Sequence, residues 1–172
     1  KEFYEENRIF VSLDEIPINV RRAFLAVEDR HFYDHSGIDL RRLIFVAARN
    51  LFNLRGARGT STITQQLSRD LFLTKEQTFA RKIKEVLLSF KIERTYSKDE
   101  ILEMYLNQIY FGEGTYGIEA ASRKYFGRSV QNLGLNQIAL LAGLPKNPGG
   151  YNPFTNRERS THRMQVVLGA ME

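Results

Sequence analysis

The stretch Thr74-Lys75-Glu76-Gln77-Thr78-Phe79-Ala80-Arg81-Lys82-Ile83-Lys84-Glu85-Val86-Leu87-Leu88-Ser89-Phe90-Lys91-Ile92-Glu93-Arg94-Thr95 decides the fold class. Thr74 and Gln77 stand at capping-box spacing, so a long helix is expected to open there and run to about Thr95. Phe79, Ile83, Val86, Leu87 and Phe90 recur at helical steps and form one apolar stripe. Glu85 points away from that stripe, but Leu88 and Ile92 share its side. A helix that is apolar on two sides is a central one, so Glu85 is expected at an interior or cleft face.

The same periodicity extends in both directions. Ile18 to Asp29 reads as a helix with Val20, Phe24, Leu25 and Val27 on its apolar side. His35-Ser36-Gly37 reads as a turn, and Asp39 as the N-cap of a helix to about Phe52. Asn53 to Gly59 is a basic, glycine-containing loop, followed by a helix over Thr60 to Phe72. Ser97 and Glu100 form a second capping box, for a helix to about Ile109. Helices are also expected over Thr115 to Phe126 and Leu135 to Leu144. Thr155 and Glu158 form a third capping box, opening a last helix. Strand-like alternation is scarce, so the expectation is an all-α globule.

Bulk properties narrow the function classes. The chain has 172 residues, of which 42% are hydrophobic and 26% charged, which suits one globular domain. Its formal charge of +5 points to an anionic partner. It has no cysteine and only three histidines, which disfavours thiol chemistry and a His-rich metal site. No apolar run is long enough to span a membrane. The chain lacks an initiating Met and ends in helical sequence, so it reads as a domain excised from a longer protein. A membrane anchor before it and a further domain after it are expected.

Four stretches carry chemistry. Glu28-Asp29 follows the apolar run Phe24 to Val27 and precedes His31-Phe32-Tyr33, surroundings that partly desolvate a carboxylate and suit it to proton transfer. Arg81-Lys82-Ile83-Lys84-Glu85 has two readings: an ordinary Arg81–Glu85 i,i+4 ion pair with Lys84 solvated, or a cationic site for a diphosphate. In the second, Lys82 supplies a point charge and Arg81 orients Glu85. Ser61-Thr62-Ile63-Thr64-Gln65-Gln66 packs more hydroxyls and amides at a helix start than capping uses, and free N–H groups there suit an anion or sugar hydroxyl. Leu43 to Leu54, bracketed by Arg41, Arg42, Arg49, Arg55 and Arg58, suits a segment dipping into an anionic bilayer.

Together these blocks, with Tyr105-Leu106-Asn107-Gln108-Ile109-Tyr110-Phe111-Gly112 and Leu140 to Lys146, resemble the peptidoglycan glycosyltransferase domain of class A penicillin-binding proteins and their monofunctional relatives (glycosyltransferase family 51). The resemblance runs from about Phe3 to about Arg163. It implies a lysozyme-like helical domain over 1–172, with a larger globular lobe and a smaller membrane-proximal jaw lobe. It also implies polymerisation of lipid II into β-1,4 glycan strands, with inversion and release of undecaprenyl diphosphate.

In that picture Glu28 is the general base, and Glu85 is the second catalytic carboxylate and a ligand of a loosely held Mg²⁺ or Mn²⁺. Asp29, Ser61, Thr62, Gln65, Gln66, Arg69, Arg81 and Lys82 bind substrate. The partners are lipid II, the growing glycan chain, the membrane surface and other cell-wall synthesis proteins, with no nucleic acid. The location is the outer face of the bacterial cytoplasmic membrane. The chain departs from the family pattern at Phe45, Thr60, Asp70, Gln77 and Gln137, and the first and fourth of these replace cations. Two rivals remain: a muramidase or lytic transglycosylase of similar fold, and a non-catalytic basic module.

Overall fold

The computed structural model describes residues 9–45, 61–72 and 78–172. The chain forms two compact units, the larger made of Lys1–Val27 with Leu102–Glu172 and the smaller of Glu28–Ile101. The helices are α1 (Ile18–Glu28), α2 (described over 40–45), α3 (Ile63–Phe72), α4 (Phe79–Thr95), α5 (Lys98–Gln108), α6 (Ile118–Phe126), α7 (Leu135–Gly143) and α8 (Arg157–Met171). The fold is mainly helical, as expected, with one short hairpin of β1 (Tyr110–Gly112) and β2 (Thr115–Tyr116). No described helix is long and apolar enough to cross a membrane.

The larger unit is organised around aromatic packing. Phe24 on α1 meets Tyr105 and Phe111 edge-on, at centroid distances of 6.4 and 6.0 Å. All three rings are buried, and perpendicular contacts of this kind add to the gain from area burial. Asn107 pins the segment before α1: its Oδ1 accepts from the Val11 amide and its Nδ2 donates to the Val11 carbonyl. On α6 the buried Glu119 accepts from Arg123 on its own helix and from the Val130 amide in the next turn. Leu141, Ala142 and Val167 seal α7 against α8.

A helix over Thr115 to Phe126 was the expectation. Instead Thr115 and Tyr116 pair with Gly112 and Tyr110 across the two-residue loop Glu113-Gly114. Both loop residues have positive φ, +51° and +68°, the conformation of a type I′ hairpin turn. Strands this short show no alternation to read. Gly117 then starts α6 at φ +82°.

In the smaller unit, Ile63 and Leu67 of α3 are buried, as is Ile92 of α4. Thr64 Oγ1 donates to Glu93, which also takes Lys98 Nζ at 2.8 Å. Lys98 in turn lies over the buried Phe32 ring.

Two helix starts differ from expectation. The helix expected from Thr74 begins at Phe79, because Thr78 Oγ1 accepts from the Arg81 amide and caps it; the box at 74–77 lies outside the described residues. Asn156, not Thr155, precedes α8, and it makes no side-chain cap there. The Ser97–Glu100 box forms as expected, with Ser97 N and Oγ both donating to Glu100. Asp39 also caps as expected, taking the Arg42 amide. The far end of that helix lies outside the described residues.

The largest departure is the orientation of α4. Glu85 lies inside, as expected, but the apolar stripe, expected to be buried as well, faces outward: Phe79 is 83% exposed and Leu87 63%. The face carrying Glu85, Ser89 and Ile92 is the buried one.

An alanine Cβ at Gly117 would stand 2.7 Å from the Asn107 carbonyl oxygen, whereas one at Gly114 meets nothing. Gly117→Ala is therefore expected to lose about 2 kcal/mol or more, and Gly114→Ala only about 1 kcal/mol. Urea unfolding of the two variants checks this; equal losses would contradict the close approach at Gly117.

Candidate active site

Glu28 is the last residue of α1 and is half-buried. Its Oε2 accepts from Gln66 Nε2 at 2.9 Å, and its main-chain carbonyl accepts from Arg42 Nη1 at 2.8 Å. Helix end and carboxylate are thus both fixed, the first by an arginine and the second by an amide that leaves its charge intact. A neutral amide donor orients a carboxylate without neutralising it.

Asp29 turns inward. It is fully buried, its carboxylate taking His35 Nε2 at 3.0 Å and the Ile63 amide at 3.0 Å. Ile63 opens α3, so Asp29 holds an otherwise orphan N–H at that helix start. Thr62 is buried as well, donating from Oγ1 to the Gly37 carbonyl, while its own amide donates to Gln65 Oε1. Gln65 N returns a bond to Thr62 Oγ1. Asp29, Thr62 and Gln65 therefore hold the start of α3 through bonds inside the protein, and the hydroxyl-rich stretch is in good part a capping network.

Ser61, Gln66, Arg69, Arg81 and Lys82 behave differently. Glu85 is buried on α4 and draws Lys82 Nζ to one oxygen and Arg81 Nη1, at 3.4 Å, to the other. Lys82 Nζ also donates to Ser61 Oγ at 3.0 Å, although its side chain stays 43% exposed. Arg69 is half-exposed and pairs through Nε with Asp70. The i,i+4 pair of Arg81 with Glu85 forms and Lys84 is exposed, as the plainer reading has it, but Glu85 itself is buried and takes Lys82 as well.

Helix α3 links these groups. Gln66 reaches Glu28, Ser68 Oγ donates to the Glu85 carbonyl, and Ser61 at its head meets Lys82. One short helix fixes the carboxylate that ends α1 relative to the cation set of α4.

Sequence reasoning missed His35 and Asp70 as parts of this arrangement. His35 was legible only as a turn residue, and its partner Asp29 lies six positions away in a loop with no periodicity. Asp70 carries a carboxyl held above the ordinary range: desolvation raises it most, Arg69 opposes, and the charge of Glu85 adds to the rise. Asp39 goes the other way. Burial opposes its ionisation, but the Arg42 amide and His31 outweigh that and hold its carboxyl low. A cavity of about 360 Å³ lies beside it, lined by His31, His35, Asp39 and Phe90, and includes neither Glu28 nor Glu85.

The residues around Glu85 do not suit a resident divalent ion. Both its oxygens face cations, and among the described residues no three His, Cys, Asp or Glu side chains gather as metal ligands. Resident Mg²⁺ sites are built from oxygen donors free to coordinate.

A family profile described as "Transglycosylase" matches residues 1–172. Penicillin-binding protein 1A of Aquifex aeolicus is 52% identical over 166 residues, covering 96% of this chain and 23% of that protein. Penicillin-binding protein 1A of Escherichia coli is 48% identical over 170 residues, covering 99% and 20%. The crystal structure of penicillin-binding protein 1A from Haemophilus influenzae superposes with a TM-score of 0.57 at 28% identity, over all of this chain and 16% of that one. The chain thus spans about a quarter or less of the length of these relatives.

A folded-state pKa raised above the ordinary 3.8 of an aspartate means that ionising Asp70 opposes folding. Asp70→Asn should then be more stable than the parent at neutral pH. The gap should close as pH falls through the raised pKa toward 3.8, where the parent carboxyl is itself protonated. Melting curves from neutral to acidic pH check this; a gap that widens in acid would reverse the sign.

Proposed function

Because the chain belongs to the transglycosylase family, we propose that it polymerises lipid II into β-1,4 glycan strands at the outer face of a bacterial cytoplasmic membrane. The observation that carries this reading is the division of labour across α3. A lone oriented carboxylate, Glu28, is held on one side, and Lys82 is held between Glu85 and Ser61 on the other. This is the equipment for deprotonating an acceptor and withdrawing charge from a leaving group.

Glu28 takes the proton of the acceptor sugar 4-hydroxyl as its oxygen attacks the donor's anomeric carbon. The bond to the undecaprenyl diphosphate oxygen breaks in the same displacement, so the anomeric configuration inverts. Lys82, Arg81 and Arg69 receive the growing negative charge on the diphosphate, where Arg forks and a Lys point charge suit phosphate oxygens. Preorganised cations of this kind stabilise developing charge without reorganising at the moment of reaction. Gln66 keeps Glu28 aimed, and Ser61 holds Lys82. Glu85 acts through the two cations that it positions.

A lipid-linked substrate fits the outward face of α4. Phe79, Ile83, Leu87 and Phe90 on that face are exposed, as are Phe72 at the end of α3 and Ile44 and Phe45 in α2. Exposed apolar side chains of this number on a basic chain suit insertion at an anionic bilayer surface. Leu51 to Arg58, expected to extend this surface, lie outside the described residues.

Incubation with labelled lipid II, with products resolved by size, tests the chemistry. The wild type should yield a ladder of glycan, and Glu28→Gln should fall by about 10²–10⁴-fold with an unchanged melting temperature. Near-normal turnover by a folded Glu28→Gln protein would remove Glu28 as base. Soluble muropeptides released from purified sacculi would favour the muramidase reading. For the membrane, Phe79→Ser and Leu87→Ser should weaken flotation with anionic vesicles while leaving thermal stability alone. A loss of stability instead would mean that these side chains pack inside the protein.

A further inference from the structure

The larger unit buries a cation that forms no ion pair with any of the described residues. Arg163 on α8 is only 8% exposed. Its Nε is sealed from solvent without a hydrogen-bond partner, and its guanidinium forms no ion pair among the described residues. Its one recorded contact of polar character is the face of Tyr151, 6.0 Å from the guanidinium carbon. An arginine cannot shed its proton to escape burial, and buried charges in proteins are ordinarily paired.

The local chain offers no counter-ion. From Ala120 to Arg157 the sequence contains no Asp or Glu, while Arg123, Lys124, Arg128, Lys146 and Arg157 all fall in that span. It includes α7, which packs against α8, and the whole loop that carries Tyr151. Within α8, the neighbours three and four residues from Arg163 are Ser160, Val166, Arg159 and Val167. Glu158 and Glu172 project from far sides of the helix at about 100° per residue. The fold nevertheless makes room for this side chain: a Cβ on Gly143 would stand 2.9 Å from Arg163 Cγ.

We propose that Arg163, roofed by Tyr151, is a binding site for an oxyanion, a carboxylate or a phosphate group taken by the guanidinium fork. The fork presents parallel N–H donors that match two oxygens of such a group, and partial burial strengthens the pairing relative to water. The site belongs to the larger unit, none of its residues takes part in the proposed transfer reaction, and it stands whether or not that reaction is the right one.

The test uses the protein labelled with ¹⁵N-arginine. The Arg163 Nε–H resonance, assigned by its disappearance in Arg163→Lys, is followed while phosphate or acetate replaces chloride at constant ionic strength. A saturable movement, unmatched by the exposed Arg123, is the expected result. Movement with phosphate alone identifies a phosphate site, and movement with acetate alone a carboxylate site. The anion that moves the resonance should also raise the melting temperature of the wild type, and Arg163→Lys, which keeps the charge but loses the fork, should lose that rise. A resonance that stays still with both anions, or a rise that survives in Arg163→Lys, overturns the proposal. If Arg163→Lys does not fold, Arg163→Gln supplies the assignment, and the wild-type titration decides by itself.

Discussion

The buried carboxylate of Asp29 is the constraint on which the smaller unit depends. It sits one residue beyond the end of α1 and takes both the His35 ring and the first amide of α3. A single side chain thereby closes one helix, opens another and fixes the turn between His31 and Gly37. Removing one partner of a buried charged hydrogen bond strands the others, which is far more damaging than the net worth of the bond. Every polar contact that α3 makes with Glu28, the Glu85 carbonyl and Lys82 is placed relative to that anchor. Asp29 therefore sets the frame in which Glu28 and Lys82 are held.

This separates two kinds of residue inside one short motif. Glu28 and Asp29 are adjacent and chemically alike, yet the first is half-buried and met by an amide, while the second is fully enclosed and met by a ring and a main-chain N–H. The same division runs through Ser61 to Gln66, where Ser61 and Gln66 reach toward functional side chains and Thr62 and Gln65 satisfy the backbone. Burial, not residue type, assigns the roles.

Much of the fold was legible because helices announce themselves by period and by caps. The Ser97–Glu100 box and Asp39 formed as their spacing requires, and Glu85 lies inside, as expected of a helix apolar on two sides. Three features escaped. The hairpin at Tyr110–Tyr116 is too short for alternation and rests on the backbone conformation of Glu113-Gly114. The inward turn of Asp29 depends on a partner amide at Ile63, far off in sequence. The orientation of α4 was misread because hydrophobic periodicity reports that one face is apolar, not which medium that face meets. A stripe that packs inside the protein and one that faces outward write the same pattern.

The inverted packing of α4 has an evolutionary consequence. In most soluble helices apolar positions resist change and polar ones drift. On α4 the thermodynamic pressure is reversed: Glu85 and Ser89 are held by the interior, whereas Phe79, Ile83 and Leu87 are free to vary as far as folding is concerned. Whatever retains apolar residues there therefore acts through something other than the stability of the fold, so a change on the outer face can alter function while leaving the melting temperature where it was.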